Sequence, residues 1–242
     1  MMEEAVKLCM RFIRAKREYV VVSVGGSLIV PEGIDVSFLK RFRELVLSKT
    51  RAGFSFFIIT GGGRTARNYQ RAVEEVRGDL TRDDVDWLGI HSSRLNAHLV
   101  KAVFKDEAQP RIVKNPARRI KPKMPVVIGA GWKPGFSTDY CAVMAAKTLG
   151  AKKLVNLSNI SHVYTADPKK DPSATPIETI NWADFRKLIP EEWDPGLSSP
   201  FDPVAAREAE KLGLEVAIIN GENLEEFEKY LSGQPFTGTV IS

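Results

Sequence analysis

Residues 19–33 read YVVVSVGGSLIVPEG, a β-branched run that ends on the pair Gly25-Gly26. A strand of this kind, apolar without strict alternation, is expected to be buried on both faces, the usual state in a parallel sheet. The glycines that follow serve one of two purposes. They relieve steric crowding in a turn, or they let main-chain N–H groups approach an anion closely. The stretch alone leaves both open.

The same pattern recurs along the chain. FSFFIIT (54–60), RIVKN (111–115), PVVIGAG (125–131), KLVNLSN (153–159) and EVAIIN (215–220) read as strands. Helix-period segments at 36–49, 64–76, 86–104, 138–149, 203–212 and 224–231 alternate with them. Strands separated by helices imply a sheet covered on both sides, so the fold class is α/β: a three-layer αβα sandwich around a mostly parallel central sheet. Pro/Gly/Asp-rich connections fall at 129–137, 166–176 and 189–203, and the basic, proline-rich 110–125 reads as a crossing between two halves.

Composition narrows the function classes. The chain has 242 residues, 43% hydrophobic and 27% charged, with a net charge of +5. That is enough chain for a large core and argues against wholesale disorder. No apolar run approaches the ~20 residues that span a bilayer. The basic residues are scattered, and no recognition helix, RNA-binding signature or zinc-finger spacing is present, so an anionic small molecule is favoured over nucleic acid or membrane. Cys9 and Cys141 form no disulfide framework, which suits a reducing cytoplasm. In residues 1–18, Val6, Cys9, Met10 and Ile13 share one helical face, and a short helix packed on the body or on a neighbouring subunit is expected.

Candidate chemistry collects at strand ends, where ligands bind in open α/β sheets. Gly25-Gly26 is one such place; Gly61-Gly62-Gly63, ahead of a helix carrying Arg67, is a second. Neither is a Walker A loop or a G-x-G-x-x-G fingerprint, so a P-loop NTPase and a dehydrogenase are disfavoured. A third is GWKPGFSTDY (131–140), where Ser137 or Thr138 caps the next helix and the same groups suit a phosphate. The fourth is the polar loop after Asn159, with Tyr164 and Asp167. His91 and His98 lie two turns apart with no accompanying carboxylate or cysteine cluster; they are assigned to packing or surface, and no metal site is expected. Asp202-Pro203 reads as a helix start.

The order of these motifs resembles a known family. GGS, GGG-x-x-A-R, D-x-x-G-I-x-x-x-R-x-N-A, P-G-x-S-T-D, V-Y-T-A-D-P-K-K-D-P-x-A and a final G-T-V-I are similar to the amino acid kinase superfamily. Within it they resemble the hexameric uridylate kinases of archaea and bacteria, over residues 19–242. The resemblance implies an amino acid kinase-like domain with an acceptor lobe at about 19–124 and an ATP lobe at about 125–242. It also implies ATP and UMP as substrates, Mg²⁺ accompanying ATP, and a hexameric homo-oligomer.

Carried over by position, Ser23, Val24, Gly25, Gly26, Ser27, Gly63 and Arg67 become ATP-phosphate contacts, with Ser23 and Arg67 in catalytic positions. Ser158, Asn159, Tyr164 and Asp167 form the ATP nucleoside pocket. Gly62, Asp86, Trp132, Lys133, Pro134, Gly135, Phe136, Ser137 and Thr138 form the UMP site, with Asp86 accepting from ribose hydroxyls. Lys169 and Lys170 are solvated or lie near the ATP phosphates. Two positions depart from the pattern. Ser23 stands where many members carry a lysine, and Ser161-His162 where relatives usually carry Asp-Gly. Loss of a preorganised electrostatic contact costs about 10²–10³ in rate. Two alternatives therefore stay open: a related kinase with another phosphate or carboxylate acceptor, and a nucleotide-binding or storage protein of the same fold.

Overall fold

The computed structural model describes residues 18–191 and 199–242, and the helix expected over 6–13 lies outside the described residues. In chain order the strands are β1 (Tyr19–Val24), β2 (Ser55–Thr60), β3 (Val126–Gly129), β4 (Lys153–Ser158), β5 (Val163–Tyr164), β6 (Pro176–Ile177), β7 (Thr179–Ile180), β8 (Glu215–Asn220) and β9 (Thr239–Ile241). Seven of them make one sheet in the order β3-β2-β1-β4-β8-β9-β7, while β5 and β6 pair separately. The first five in that order are mutually parallel. β9 then runs antiparallel to β8, and β7 follows β9. One sheet thus continues across the boundary expected near 124, because β3 pairs with β2.

Burial explains the apolar runs. Along β1, Val20, Val22 and Val24 join one core and Tyr19 and Val21 the other. The first core is filled by Phe38 and Phe42 of the Val36–Arg51 helix, Phe104 after the Arg82–Val103 helix, and Phe227 of the Leu224–Leu231 helix. On the opposite face the Thr138–Leu149 and Pro203–Lys211 helices bring Ala142, Ala145, Ala146, Ala205, Ala206 and Ala209, all completely or almost completely buried. Small side chains there let two helices and the sheet approach closely. With both sheet faces covered, strict alternation has no reason to appear in these strands.

Two expectations change. RIVKN does not form a strand; only Val113 makes an isolated bridge, to Gly129, because the loop around it leaves the sheet edge again. The helix expected from 86 begins at Arg82, where Thr81 accepts from the Asp84 N–H and the Asp84 carboxylate accepts from the Thr81 N–H. That reciprocal capping satisfies two otherwise unpaired donors.

The two glycine loops touch each other through their backbones. The Gly61 N–H donates to the Val24 carbonyl at 3.0 Å and the Arg64 N–H to the Val30 carbonyl at 2.9 Å. A Cβ on Gly26 would fall 2.6 Å from the Gly61 carbonyl carbon and 2.7 Å from the Gly62 nitrogen. Gly63 holds φ at +64°, in the left-handed region. No larger residue fits at Gly26 without separating the loops. Gly26→Ala is expected to cost about 1–3 kcal/mol by overpacking, whereas Gly33→Ala, whose added Cβ meets nothing, is expected to be neutral. Thermal unfolding of the two variants checks the contrast.

Candidate active site

The five parallel strands deliver their carboxyl ends to one edge of the sheet. Chain order reverses between β1, whose successor β2 lies on one side, and β4 on the other, and ligand crevices form at such switch points. A cleft of about 470 Å³ opens there, lined by residues that include Ser23, Gly25, Thr138, Asn156, Ser158 and Asn159. This size suits a nucleotide-scale ligand. The Gly25 N–H donates to the Leu157 carbonyl at 2.8 Å, which seals the two strand tips together beneath it.

The far wall comes from the β5–β6 hairpin and its neighbours: Ile160, His162, Tyr164, Asp167 and Lys169, then Leu188 and Pro190. The hairpin is closed by the Thr165 N–H donating to the Thr175 carbonyl at 3.1 Å and the Thr175 N–H donating to the Thr165 hydroxyl at 3.0 Å. Asp167 accepts from the Lys169 N–H at 3.0 Å, turning the chain at the rim. Lys169 is the one lysine or arginine in the cleft wall among the described residues.

At the strand-tip end, the Ser23 hydroxyl donates to Asp139 Oδ1 at 3.0 Å. Asp139 Oδ2 faces the Asp202 N–H at 3.4 Å, and Asp202 caps its own helix by accepting from the Ala205 N–H at 2.6 Å. Burial first, then the nearby Asp202 carboxylate, pushes the Asp139 carboxyl up to about 7. Burial raises Asp202 as well. The single hydrogen bond available from Ser23 is therefore directed at a carboxylate in the cleft wall.

A single helix braces the second and third loops. From Arg82–Val103, Asn96 Nδ2 donates to the Gly61 carbonyl at 2.8 Å and to that of Gly62 at 3.2 Å. Ser93 Oγ accepts from the Gly131 N–H at 2.9 Å, and Arg94 donates to the carbonyls of Gly131 and Trp132 at 3.2 and 2.7 Å. Asp86 Oδ2 accepts from the Gly135 N–H at 2.8 Å, and burial raises its carboxyl. Asp86 is thus one anchor of the loop, with its second oxygen outside that bond. The roles of Ser93, Arg94 and Asn96 escape a sequence reading, since their partners are backbone atoms 34 to 38 residues away or more.

The third loop carries an aromatic ladder. Trp132 stacks on Phe136 with centroids 5.1 Å apart, and Phe136 lies 4.6 Å from Tyr140. The Lys133 ammonium sits over the Trp132 and Phe136 rings at 4.7 and 5.1 Å, a cation–π arrangement. Pro134 and Gly135 turn the loop between them, Gly135 at φ +82°. Ser137 caps the Thr138–Leu149 helix by accepting from the Tyr140 N–H at 3.0 Å, leaving Thr138 on the cleft wall.

Of the residues singled out in the sequence, the cleft gathers Ser23, Gly25, Thr138, Ser158, Asn159, Tyr164 and Asp167. Val24 is buried in the core, so only its main chain faces other atoms of the loops. Gly26, Gly62 and Gly63 lie in the loop-to-loop contact, Ser27 in the short Gly26–Ile29 helix, and Arg67 is exposed one turn into the Gly63–Val76 helix. His91 and His98 are exposed, His91 against Trp87 with ring centroids 5.7 Å apart.

With this geometry in place, comparison with known proteins is informative. The amino acid kinase family model matches residues 18–220. The chain belongs to the amino acid kinase family. It is 33% identical over 225 residues to a protein named uridylate kinase from Methanocorpusculum labreanum, covering 92% of this chain and 94% of that one. A uridylate kinase from Pyrococcus abyssi is 34% identical over 228 residues, covering 92% and 98%. The crystal structure of a uridylate kinase from Archaeoglobus fulgidus superposes with a TM-score of 0.77 at 26% identity, over 92% of this chain and 99% of the other. The family match spans β1 to β8 and the residues that line the cleft.

The Asp139 carboxyl sets a pH dependence. Its folded value lies above the ordinary 3.8, so the neutral form is favoured by folding; that stability is complete below about 3.8 and is lost as pH rises through about 7. Asp139→Asn removes the dependence while leaving Asp202 in both proteins. The variant is expected to match the parent near pH 4 and to exceed its unfolding midpoint increasingly up to pH 7–8, as measured by thermal denaturation across pH.

Proposed function

We propose that this chain is a nucleoside monophosphate kinase that transfers the γ-phosphoryl of ATP to UMP, giving UDP and ADP. The observation that carries the reading is the convergence of the β1 and β4 tips and the N-terminus of the Thr138–Leu149 helix on one cleft, in a chain similar over 92% of its length to proteins named uridylate kinase. ATP occupies the cleft between Gly25 and the β5–β6 hairpin. UMP lies against the loop of Trp132, Lys133, Gly135, Phe136 and Thr138, with the free oxygen of Asp86 toward its ribose.

Phosphoryl transfer asks for alignment and for compensation of charge rather than covalent chemistry from the protein. Main-chain N–H groups at the N-terminus of the Thr138–Leu149 helix supply the first part of that compensation. Lys169 at the rim and Arg67 on its helix add positive charge. Thr138, Ser158 and Asn159 on the wall offer hydroxyl and amide oxygens that would help hold a Mg²⁺ ion accompanying the nucleotide phosphates. The bound ion supplies neutralisation of the transferring phosphoryl. No general base is required, because the accepting phosphate is already anionic.

In a coupled ADP-release assay with Mg²⁺, UMP is expected to be the preferred acceptor among nucleoside monophosphates. Absence of turnover with every monophosphate, at normal ATP binding, overturns the kinase reading in favour of a nucleotide-binding protein. Turnover with a different small phosphate or carboxylate, and none with UMP, moves the acceptor.

Homo-oligomerisation is part of the same reading. Tyr69 and Val76 on one helix and Leu95 on the next are large apolar side chains exposed at 62%, 87% and 63%, with Trp87 beside them at 40%. The two helices pack against each other, and exposed large apolar side chains in such number mark an interaction face. A second copy is its occupant, and a hexamer is the closed assembly. Leu95→Glu is expected to reduce the mass seen by light scattering while leaving the circular dichroism spectrum unchanged; an unaltered mass sinks this assignment.

A further inference from the structure

His162 stands on the cleft wall, which Ile160, Tyr164, Leu188 and Pro190 also line. Its imidazole lies nearly perpendicular to the Tyr164 ring, at 79° with centroids 6.2 Å apart. Tyr164 is held in turn by its hydroxyl, which meets Ser161 Oγ at 3.3 Å. Among the described residues the imidazole makes no hydrogen bond. It is a half-buried aromatic ring, oriented by one edge contact and otherwise uncommitted.

At the strand-tip end Thr138 and Ser158 contribute hydroxyls that suit phosphate. The β5–β6 side carries Ile160 and the two rings beside Asp167 and Lys169, and Leu188 and Pro190 line the same cleft, so the wall offers apolar and ring surface suited to a flat heterocycle. Planar bases gain from ring contact whatever their hydrogen-bonding edge.

We infer that His162 is a stacking residue for the base of the donor nucleotide, holding it against the hairpin end of the cleft by ring contact rather than by reading its edge. This rests on the kinase reading for the identity of the donor. It predicts tolerance among purine bases and sensitivity to loss of the ring. Ser161 and Tyr164 act as its support: the hydroxyl pair fixes Tyr164, and Tyr164 fixes the imidazole.

The test is calorimetric binding of ADP and of inorganic tripolyphosphate to the full chain. His162→Ala is expected to weaken ADP roughly tenfold, the size of one stacked ring, and to leave tripolyphosphate unchanged. His162→Phe should keep ADP affinity, and His162→Gln, which hydrogen-bonds without a ring, should not. Unchanged ADP affinity in His162→Ala, or retention by Gln with loss in Phe, overturns the inference. If the alanine variant does not fold, the unmodified protein answers: with three histidines in the chain, the His162 ring-proton signal must shift with ADP and not with tripolyphosphate, and a signal indifferent to ADP refutes stacking. Normal UMP turnover beside an unaffected ADP affinity removes this inference alone. A ring-dependent ADP affinity without turnover on any monophosphate removes the kinase reading and leaves the stacking in place.

Discussion

Backbone-to-backbone contact between Gly26 and the Gly61–Gly63 turn is the constraint on which the strand-tip edge depends. β1 and β2 are adjacent and parallel, so their exit loops leave at the same edge and compete for the same space. Glycine on both sides resolves the competition, with the loops locked by the Gly61-to-Val24 and Arg64-to-Val30 hydrogen bonds. A side chain on either loop would force them apart, and the helix starting at Gly63 would move with them. The question raised by the glycine pair thus has two answers. Gly26 is required by its neighbour loop, whereas Gly25 faces the cleft.

Around that contact, the Arg82–Val103 helix works as a bracket. It grips the second loop through Asn96 and the third through Asp86, Ser93 and Arg94, in each case by bonding to the backbone. Bonds of this type fix loop shape while leaving the side chains of Trp132, Phe136 and Thr138 to meet a ligand. Preorganisation of this kind lowers the ordering cost that binding would otherwise incur.

The cleft carries more acidic than basic side chains. Two carboxylates, Asp139 and Asp167, and one lysine line it among the described residues. The Ser23 hydroxyl donates to Asp139, and burial beside Asp202 pushes the Asp139 carboxyl toward its neutral form.

Much of this was legible in the residues. The apolar runs without alternation announced strands covered on both faces, and β1, β2, β4 and β8 fall where the runs do. The glycine clusters, the Ser137 cap and the Asp202-Pro203 helix start were readable because each is a local rule acting over a few residues. The short strands β7 and β9, at two and three residues, were too short to leave a periodic signal. What sequence could not contain is distance between remote segments. That Ser23 meets Asp139 across 116 positions, and that His162 shares a wall with Gly25, follows only from the crossover at β1 and β4, which folds separated stretches onto one edge. Local preferences set the elements; the order of strands in the sheet decided which of their tips share a cleft.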